Sequence, residues 1–251
     1  MMEHRVPKPP LSEFVEQLWY FDGVLGPHSR ERVLPDGSMN VLIDLRREGG
    51  SVITGARSEY FVIRSSVAMH VMGIWFKPGG AYPFFKTPAS ALRGQHVSLT
   101  DVWGPLAAEL RERILESPLQ KFEVVERALL QQLRRNAAPH AAVRFALHEF
   151  RHVRPSVSSV TGAIGISPRH FAALFSDEVG LTPKLFCRVR RFQRVLHMVN
   201  EARDIDWTAV ALSCGYFDQS HFINDFRSFS GINPTEYVTR GSRYVNHVPM
   251  D

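Results

Sequence analysis

Two pairs of side chains have residue types and a spacing that could support chemistry. His148 and His152 are four positions apart, and on a helix this spacing places two imidazoles on one face, where they could hold a metal ion. No third ligand lies near them in the sequence, so we favour ordinary surface histidines. Cys187 and Cys214 are the only two cysteines and could form a redox sensor. Because Cys214 adjoins a turn glycine on a short predicted helix, where small buried residues belong, we favour a structural role.

Two aspartates in the first half of the chain, Asp36 and Asp44, invite an enzymatic interpretation. Asp36 lies in the sequence Pro35-Asp36-Gly37, where turn geometry is the better explanation of an aspartate. The sequence shows no nucleophile–base pair, no phosphate-binding glycine loop and no convincing set of metal ligands. We therefore predict that the protein is not an enzyme and that it needs no cofactor.

The apolar pattern of the first hundred residues predicts a β-rich domain. Three apolar runs, MNVLIDL from Met39, YFVI from Tyr60 and VAMHVMGIWF from Val67, are rich in Val, Ile and aromatic residues. Gly and Pro bound these runs, as is typical of strands. From about Thr100 to Arg135 the apolar residues recur every three or four positions, which predicts a helical tail. Pro118 divides that tail into two helices, because proline cannot continue a helix.

A short polar segment, RRNAAPH at residues 134–140, precedes a second half in which every strong pattern is helical. The sequence therefore predicts an α+β chain of two domains. Residues 1–138 form a β-rich regulatory, effector-binding or dimerisation domain with trailing helices. Residues 139–251 form an all-α domain.

The second half contains an internal repeat. The segments from Val160 and from Val210 both place a small residue four positions before a glycine, which a large apolar residue follows. Further along, GLTPKLF matches GINPTEY, and the copies stay in register if the second has one extra residue in its turn. In each copy the glycine ends one helix, and Ser167 or Asp218 caps the next. The sequence thus predicts two helix-turn-helix units.

A long amphipathic helix, from about Pro183 to Asn200, joins the two units. Its apolar positions form one stripe: Leu185, Phe186, Val189, Phe192, Leu196 and Val199. Its other side carries five cations and no acidic residue: Lys184, Arg188, Arg190, Arg191 and Arg194. We expect this basic side to be mainly solvated. The helix itself should hold the two units at a fixed separation.

The composition limits the class of protein. Hydrophobic residues make up 44% of the 251 residues and charged residues 22%, which is enough to bury a core without disulfides. The formal net charge of +5 is compatible with a polyanionic partner but does not require one. No apolar run is long enough to span a bilayer, and the first residues lack the apolar core of a signal peptide. We expect a cytoplasmic protein without membrane contact.

These patterns resemble the AraC/XylS family of transcription regulators over roughly Ala141 to Arg240. The most specific pieces are GISPRHFAALFSDEVGLTPK and ALSCGYFDQSHFINDFRSFSGINPTEY. In the first half, LPDGSMNVLIDL, FKPGGAYPFF and LTDVWG are similar to sensor domains found in a subset of these regulators, over about Leu11 to Trp103. The resemblance implies a C-terminal pair of helix-turn-helix units that bind double-stranded DNA and an N-terminal regulatory domain.

The resemblance also implies that the second helix of each unit enters the major groove, in two segments about 34 Å apart. The exposed positions of the first recognition helix are expected to be Arg169, His170, Ala172 and Ala173. Arg169 suits a bidentate contact to guanine. The two alanines depart from the family, whose members often place long polar side chains there, so the first unit should read sequence weakly.

The second recognition helix is expected to present Gln219, Ser220, His221 and Asn224. Of these, Gln219 and Asn224 suit hydrogen bonds to adenine edges, which predicts more hydrogen-bonded reading by the second unit. Lys184 and Arg227 lie just beyond the recognition helices and are candidates for phosphate contacts.

The sequence thus predicts a sequence-specific DNA-binding transcription regulator whose first domain responds to a small-molecule effector or mediates dimerisation. RNA polymerase is a further candidate partner. Monomer and homodimer both remain open, because a paired recognition domain can bind DNA as a monomer. The alternative is an enzyme or stress sensor in which the first domain does chemistry and DNA binding is secondary.

Overall fold

The computed structural model describes residues 1–26, 28–133, 139–152, 156–201, 204–241 and 244–250, with only the backbone of Glu201. The predicted domain boundary at residue 138 and most of the predicted linker lie outside these residues. Within them the first half is rich in strands and the second half is helical, which confirms the predicted α+β class.

The first half is built on two antiparallel sheets. The strands are, in chain order, β1 (Met2–Arg5), β2 (Val15–Gly23), β3 (Arg30–Val33), β4 (Asn40–Asp44), β5 (Val52–Thr54), β6 (Phe61–Arg64), β7 (Met69–Phe76), β8 (His96–Ser98) and β9 (His247–Pro249). The larger sheet has the order β1-β2-β7-β4-β5-β8, and the smaller has the order β6-β3-β9. Strands β4, β6 and β7 lie within the three apolar runs that predicted strands.

One face of the larger sheet carries buried core residues. Leu18, Ile74 and Val41 align across β2, β7 and β4, and none of the three is accessible to solvent. Ile43 and Met72 repeat this arrangement two positions along their strands. Because side chains alternate between the two faces of a strand, these residues share the face that forms the core.

The smaller sheet joins the two ends of the chain. Its last strand, β9, pairs antiparallel with β3, with Val33 opposite His247. The Glu31 carboxylate, almost fully buried, lies 2.9 Å from Nδ1 of the His247 imidazole. The sequence pattern did not predict this strand, which brings residues from beyond the helical domain into a sheet of the first half.

Eleven helices lie within the described ranges. They are α1 (Ala89–Leu92), α2 (Leu99–Trp103), α3 (Leu106–Glu116), α4 (Lys121–Leu133), α5 (Ala141–Glu149), α6 (Val157–Ile164), α7 (Pro168–Val179), α8 (Pro183–Glu201), α9 (Trp207–Ser213), α10 (Gln219–Ser230) and α11 (Pro234–Arg240). The helical tail predicted for the first domain corresponds to α2, α3 and α4, with the predicted break after Ser117. Leu110 and Val125 bury the apolar faces of α3 and α4 in the common core.

The centre of the second half is the long helix α8. Its predicted apolar stripe lies in the core, where Phe186, Val189, Phe192 and Leu196 are at most 3% exposed. Leu185, at the beginning of the stripe, is partly buried against the same core. The amphipathic pattern therefore located both the helix and the face that packs inward.

The basic side of α8 is not mainly solvated, so that expectation was wrong. Of its five cations only Lys184 is exposed, whereas the four arginines are partly buried. Arg194, for example, donates a hydrogen bond to the carbonyl of Arg151, at 2.9 Å. The partners of these arginines lie outside α8, so a pattern within α8 alone could not reveal them.

A turn in the first half supports α8 from the opposite side. The Asp36 carboxylate accepts a hydrogen bond from the Ser38 backbone N–H at 2.8 Å, which confirms that turn geometry explains this aspartate. Gly37 follows with a φ of +80°, a conformation that favours glycine. A Cβ at Gly37 would lie only 3.3 Å from the Phe186 ring, so the turn backbone packs closely on α8.

A buried polar side chain on α8 also links the two halves by hydrogen bonds. Gln193 is 5% exposed, and its Nε2 donates to the carbonyl of Pro35 and to Oδ1 of Asn246, each at 2.8 Å. One amide group thus joins the helix to the turn of the first half and to the segment that leads into β9.

Candidate nucleic-acid interface

The first helix-turn-helix unit consists of α6 and α7, and its ends are defined by local hydrogen bonds. Ser156 Oγ caps α6 by accepting from the Ser159 N–H at 3.1 Å, and Gly165 ends the helix with a φ of +76°. Ser167 Oγ then caps α7 by accepting from the His170 N–H at 3.2 Å. These caps satisfy backbone donors that a helix start leaves unpaired, so the turn is fixed by its own sequence.

The second unit, α9 and α10, repeats this design with stronger caps. Asp206 Oδ1 accepts from the N–H groups of Thr208 and Ala209 at 2.9 and 3.1 Å, at the start of α9. Gly215, with a φ of +87°, lies in the turn, and Asp218 Oδ1 accepts from the His221 N–H at 2.7 Å. A negative charge at a helix N-terminus is also favoured by the helix dipole.

Four phenylalanines fix the rotation of the two recognition helices, α7 and α10. Phe171 and Phe175 on α7, and Phe222 and Phe226 on α10, are at most 1% exposed. They pack within each unit, with ring centroids 5.7 Å apart on α7 and 5.8 Å apart on α10. Because these four rings pack inward, the opposite face of each recognition helix is directed outward.

The predicted reading residues fall on those outward faces. Exposed side chains are Arg169, His170, Ala173, Gln219, Ser220 and Asn224. Ala172 and His221 are partly buried. The structure therefore gathers the predicted residues at the N-terminal parts of the two recognition helices. The candidate phosphate contacts, Lys184 and Arg227, are exposed as well.

His221 has contacts within the protein as well as an exposed edge. Its ring packs edge-on against the buried Tyr216, with centroids 5.3 Å apart, and its Nε2 lies 3.9 Å from Oδ2 of Asp225. These contacts limit the freedom of the imidazole, so His221 offers a pre-oriented donor or acceptor rather than a mobile one.

Asp225 is a structural residue of the site that sequence reasoning missed. It lies on the inward side of α10, is 5% exposed, and its Oδ1 accepts from Arg188 Nη2 on α8 at 2.7 Å. Arg191 on α8 places Nη2 3.7 Å from the other carboxylate oxygen and its guanidinium 4.6 Å from the Tyr216 ring centroid. The available signal was an acidic residue among the inward phenylalanines of α10, facing a helix whose arginines lacked acidic partners.

The first half of the chain contacts the C-terminal ends of both recognition helices. Beyond α7, a Cβ at Gly180 would lie 3.0 Å from the Cβ of Ala56, and on α7 itself Asp177 accepts a 2.6 Å hydrogen bond from Ser90. At the end of α10, the Tyr60 N–H donates to the carbonyl of Phe229 at 3.1 Å. Both recognition helices therefore rest their C-terminal ends on the first half and direct their N-terminal ends into solvent.

An open groove of about 940 Å³ runs beside α10. Gln219 and Arg227 line it from α10, and Thr235 and Arg240 line it from α11. The opposite wall includes Met250, which follows β9. The groove thus combines a predicted reading residue and two arginines with Glu236 and an apolar lining that includes Trp207.

The surroundings of the two thiols disfavour the thiolate form. Burial raises the pKa of the Cys187 thiol to about 11 and also raises the pKa of the Cys214 thiol. Cys214 is 1% exposed, which agrees with the structural role expected for it. A thiol with a raised pKa carries little thiolate near neutral pH, and thiolate is the nucleophilic form.

The histidine pair shows no sign of a metal site. The rings of His148 and His152 are 6.5 Å apart, and both side chains are exposed. Over the part of the chain that the structure describes, no group of three or more His, Cys, Asp or Glu side chains is arranged to hold a metal ion.

Two capped helix-turn-helix units joined by one long helix define the DNA-binding domain of a transcription regulator. Residues 160–240 match a protein family described as a helix-turn-helix domain, and residues 3–98 match a domain of unknown function, DUF6597. The C-terminal part of this chain is an AraC-type helix-turn-helix domain, which confirms the resemblance to the AraC/XylS regulators.

Two curated proteins are similar to parts of the chain. The probable transcriptional regulator LumQ of Photobacterium leiognathi is 30% identical over 82 residues, which are 33% of this chain and 33% of LumQ. The porin thermoregulatory protein EnvY of Escherichia coli (strain K12) is 27% identical over 145 residues, which are 56% of this chain and 55% of EnvY. The similarity thus covers a third to about half of the length of these relatives.

A solved structure of ToxT from Vibrio cholerae O395 aligns with 95% of this chain and 97% of its own, at 12% sequence identity and a TM-score of 0.44. Another, of an apo ToxT variant from Vibrio cholerae strain SCE256, aligns with 95% of this chain and 96% of its own, at 12% identity and a TM-score of 0.43.

Among the described residues, no helix has the length and apolar character needed to cross a membrane.

Proposed function

We propose that the protein is a sequence-specific DNA-binding transcription regulator that reads two successive segments of the major groove, one with α7 and one with α10. The observation that carries this proposal is the common orientation of the two recognition helices. Both have capped, exposed N-terminal ends, and both rest their C-terminal ends on the first half. Recognition helices of this motif contact base edges with their N-terminal residues, in segments about 34 Å apart.

The two units contribute unequally to the recognition of DNA sequence. On α7, Arg169 can make two parallel hydrogen bonds to a guanine, whereas Ala172 and Ala173 offer apolar contact alone, for instance to a thymine methyl group. On α10, Gln219 and Asn224 are exposed amides that suit adenine edges. The second unit therefore supplies most of the hydrogen-bonded discrimination between bases.

Contacts to phosphate set affinity rather than sequence preference. Arg227 lines the groove beside α10, and Lys184 is the one exposed cation of α8's basic side in the described residues. Backbone N–H groups at the capped helix starts are further donors to phosphate oxygens. Replacing Arg227 by Ala should weaken binding to all sequences alike and reduce the salt dependence by about one counterion.

The first half of the chain regulates this domain by supporting both units at once. Its contacts reach Gly180 beyond α7, Phe229 on α10 and Gln193 on α8. A ligand, or a second copy of this chain, that shifts the first half would therefore change the relative position of the recognition helices. This arrangement supports control by a small-molecule effector or by dimerisation at the first half.

The proposal is tested by selection of binding sites from a random double-stranded DNA library with the full chain, followed by fluorescence anisotropy across a salt series. We expect a selected sequence with two blocks of preferred bases about one helical turn apart. Binding that is equally strong to selected and shuffled DNA, and steeply dependent on salt, would contradict the proposal.

A matched pair of variants on α10 separates reading from a general loss of affinity. Gln219→Ala removes an exposed amide from the N-terminal end, and Ser228→Ala removes an exposed polar group from the other end of the helix. We expect Gln219→Ala to relax the preference at one position by about 1–3 kcal/mol and Ser228→Ala to leave it unchanged. Equal preferences in both variants would show that Gln219 does not contact a base.

A further inference from the structure

One aromatic side chain projects into solvent from the turn of the second unit. Phe217 is 86% exposed, whereas the neighbouring Tyr216 is 1% exposed. Phe217 is also the extra residue by which the two units differ. In the first unit a single residue, Ile166, separates the turn glycine from the cap Ser167, whereas two residues separate Gly215 from its cap.

Other residues fill the structural roles of the turn. The apolar contact is made by Tyr216, whose ring lies 5.4 Å from that of Phe222, and the helix cap is made by Asp218. Phe217 does not belong to the core or to the partly buried residues packed against it. A large apolar side chain held in solvent gains nothing from burial in the folded chain, so its burial remains available to a contact outside the chain.

The position of Phe217 indicates what that contact is. It immediately precedes the cap of α10, and the next exposed residues, Gln219 and Ser220, are the proposed reading residues. A recognition helix enters the major groove with its N-terminal end, so Phe217 enters with it. The apolar group that base edges present in this groove is the C5-methyl of thymine, and phenylalanine is among the side chains that contact it.

We propose that Phe217 is a specificity-determining residue that packs against a thymine methyl group at the edge of the segment read by α10. This inference rests on the proposed function and names a contact that the first unit cannot make, because Ile166 is partly buried at the corresponding turn. The consequence is a preference for thymine at one flanking position of the second block alone.

The test replaces thymine by uracil, which lacks only the methyl group, one position at a time in the selected DNA. Each DNA is titrated with the wild-type chain and with Phe217→Ala, and Phe145→Ala on α5 serves as an exposed aromatic control. Loss of one methyl contact should weaken wild-type binding about 4-fold, since burial of such a group contributes roughly 0.8 kcal/mol. The same DNA change should have no effect on Phe217→Ala, while Phe145→Ala should behave as the wild type does.

The possible outcomes either support this methyl contact or overturn it. A uracil position that affects the wild type and Phe145→Ala but not Phe217→Ala supports the assignment. Identical uracil profiles in all three chains overturn it and would direct attention to a protein partner for the exposed ring. A wild-type chain that does not distinguish selected from shuffled DNA overturns the proposed function and this contact with it. Because Phe217 is exposed, its alanine variant should unfold at the wild-type temperature.

Discussion

Replacing Asp225 by Asn would show how strongly the second recognition helix is anchored. The substitution keeps the shape of the side chain but removes its negative charge. In the structure one carboxylate oxygen of Asp225 accepts from Arg188 at 2.7 Å, and the other lies 3.7 Å from Arg191. The variant thus leaves two partly buried guanidinium groups without their anionic partner.

The expected cost follows from the burial of these groups. A hydrogen bond to a charged group contributes about 1.5–3 kcal/mol, and loss of one partner from a buried ion pair costs about 3–5 kcal/mol. Because the Arg188 side chain is 34% exposed, water compensates part of this loss, and we expect about 2–3 kcal/mol. At roughly 2–4 °C for each kcal/mol in a chain of this size, the melting temperature should fall by about 4–12 °C.

A second ion pair in the same domain provides the control. Glu236 and Arg240 on α11 are 2.8 Å apart, nearly the same distance, but the Glu236 side chain is 36% exposed, against 6% for Asp225. An exposed pair at this helical spacing contributes about 0.3–0.5 kcal/mol, so Glu236→Gln should change the melting temperature by less than about 2 °C. Thermal unfolding of both variants, followed by circular dichroism, measures the difference. Equal shifts in the two variants would refute the argument from burial.

Three further predictions concern packing and the thiols. Gln193→Ala should lower the free energy of unfolding by about 1–3 kcal/mol in a urea titration, and an unchanged midpoint would exclude a stabilising role for this amide. Gly180→Ala should destabilise the folded chain, because the alanine would have a φ of +88° and a 3.0 Å contact. Gly162→Ala, in open space within α6, should stabilise the folded chain by about 0.5–1 kcal/mol. The opposite order of melting temperatures would count against this reasoning. Burial raises the pKa of Cys187 to about 11 and also raises that of Cys214. The rate of alkylation by iodoacetamide should therefore rise about tenfold per pH unit between about pH 7 and 10. A plateau of the rate near pH 9 would disprove the raised pKa values.

Features that depend on neighbouring residues could be read from the sequence. The caps Ser167 and Asp218 and the turn glycine Gly165 act within a few positions of the chain, so their residue types revealed both helix-turn-helix units. The inward phenylalanines of α7 and α10 and the apolar stripe of α8 both follow helical spacing. The strongest strands were found for the same reason, because each is a continuous apolar run.

Features that depend on distant partners could not be read in this way. Strand β2 carries a register shift between Val15 and Gln17, which breaks the alternation that would have identified it. The pairing of Glu31 with His247 joins residues 216 positions apart. Arg188 and Arg191 of α8 were expected in solvent because their acidic partner, Asp225, lies on another helix. Such pairings become visible only when the fold has brought the elements together.

The return of β9 to β3 means that one sheet of the first half includes residues that follow the helical domain in the sequence. Cutting the chain between the two halves would leave β3 without one of its neighbours and expose its unpaired N–H and C=O groups as a sheet edge. The helical fragment would in turn carry β9 as an unpaired extension next to the groove beside α10. An exchange of DNA-binding domains between regulators of this kind would therefore need to carry residues 247–249 and β3 together, so that the donor and acceptor strands still match.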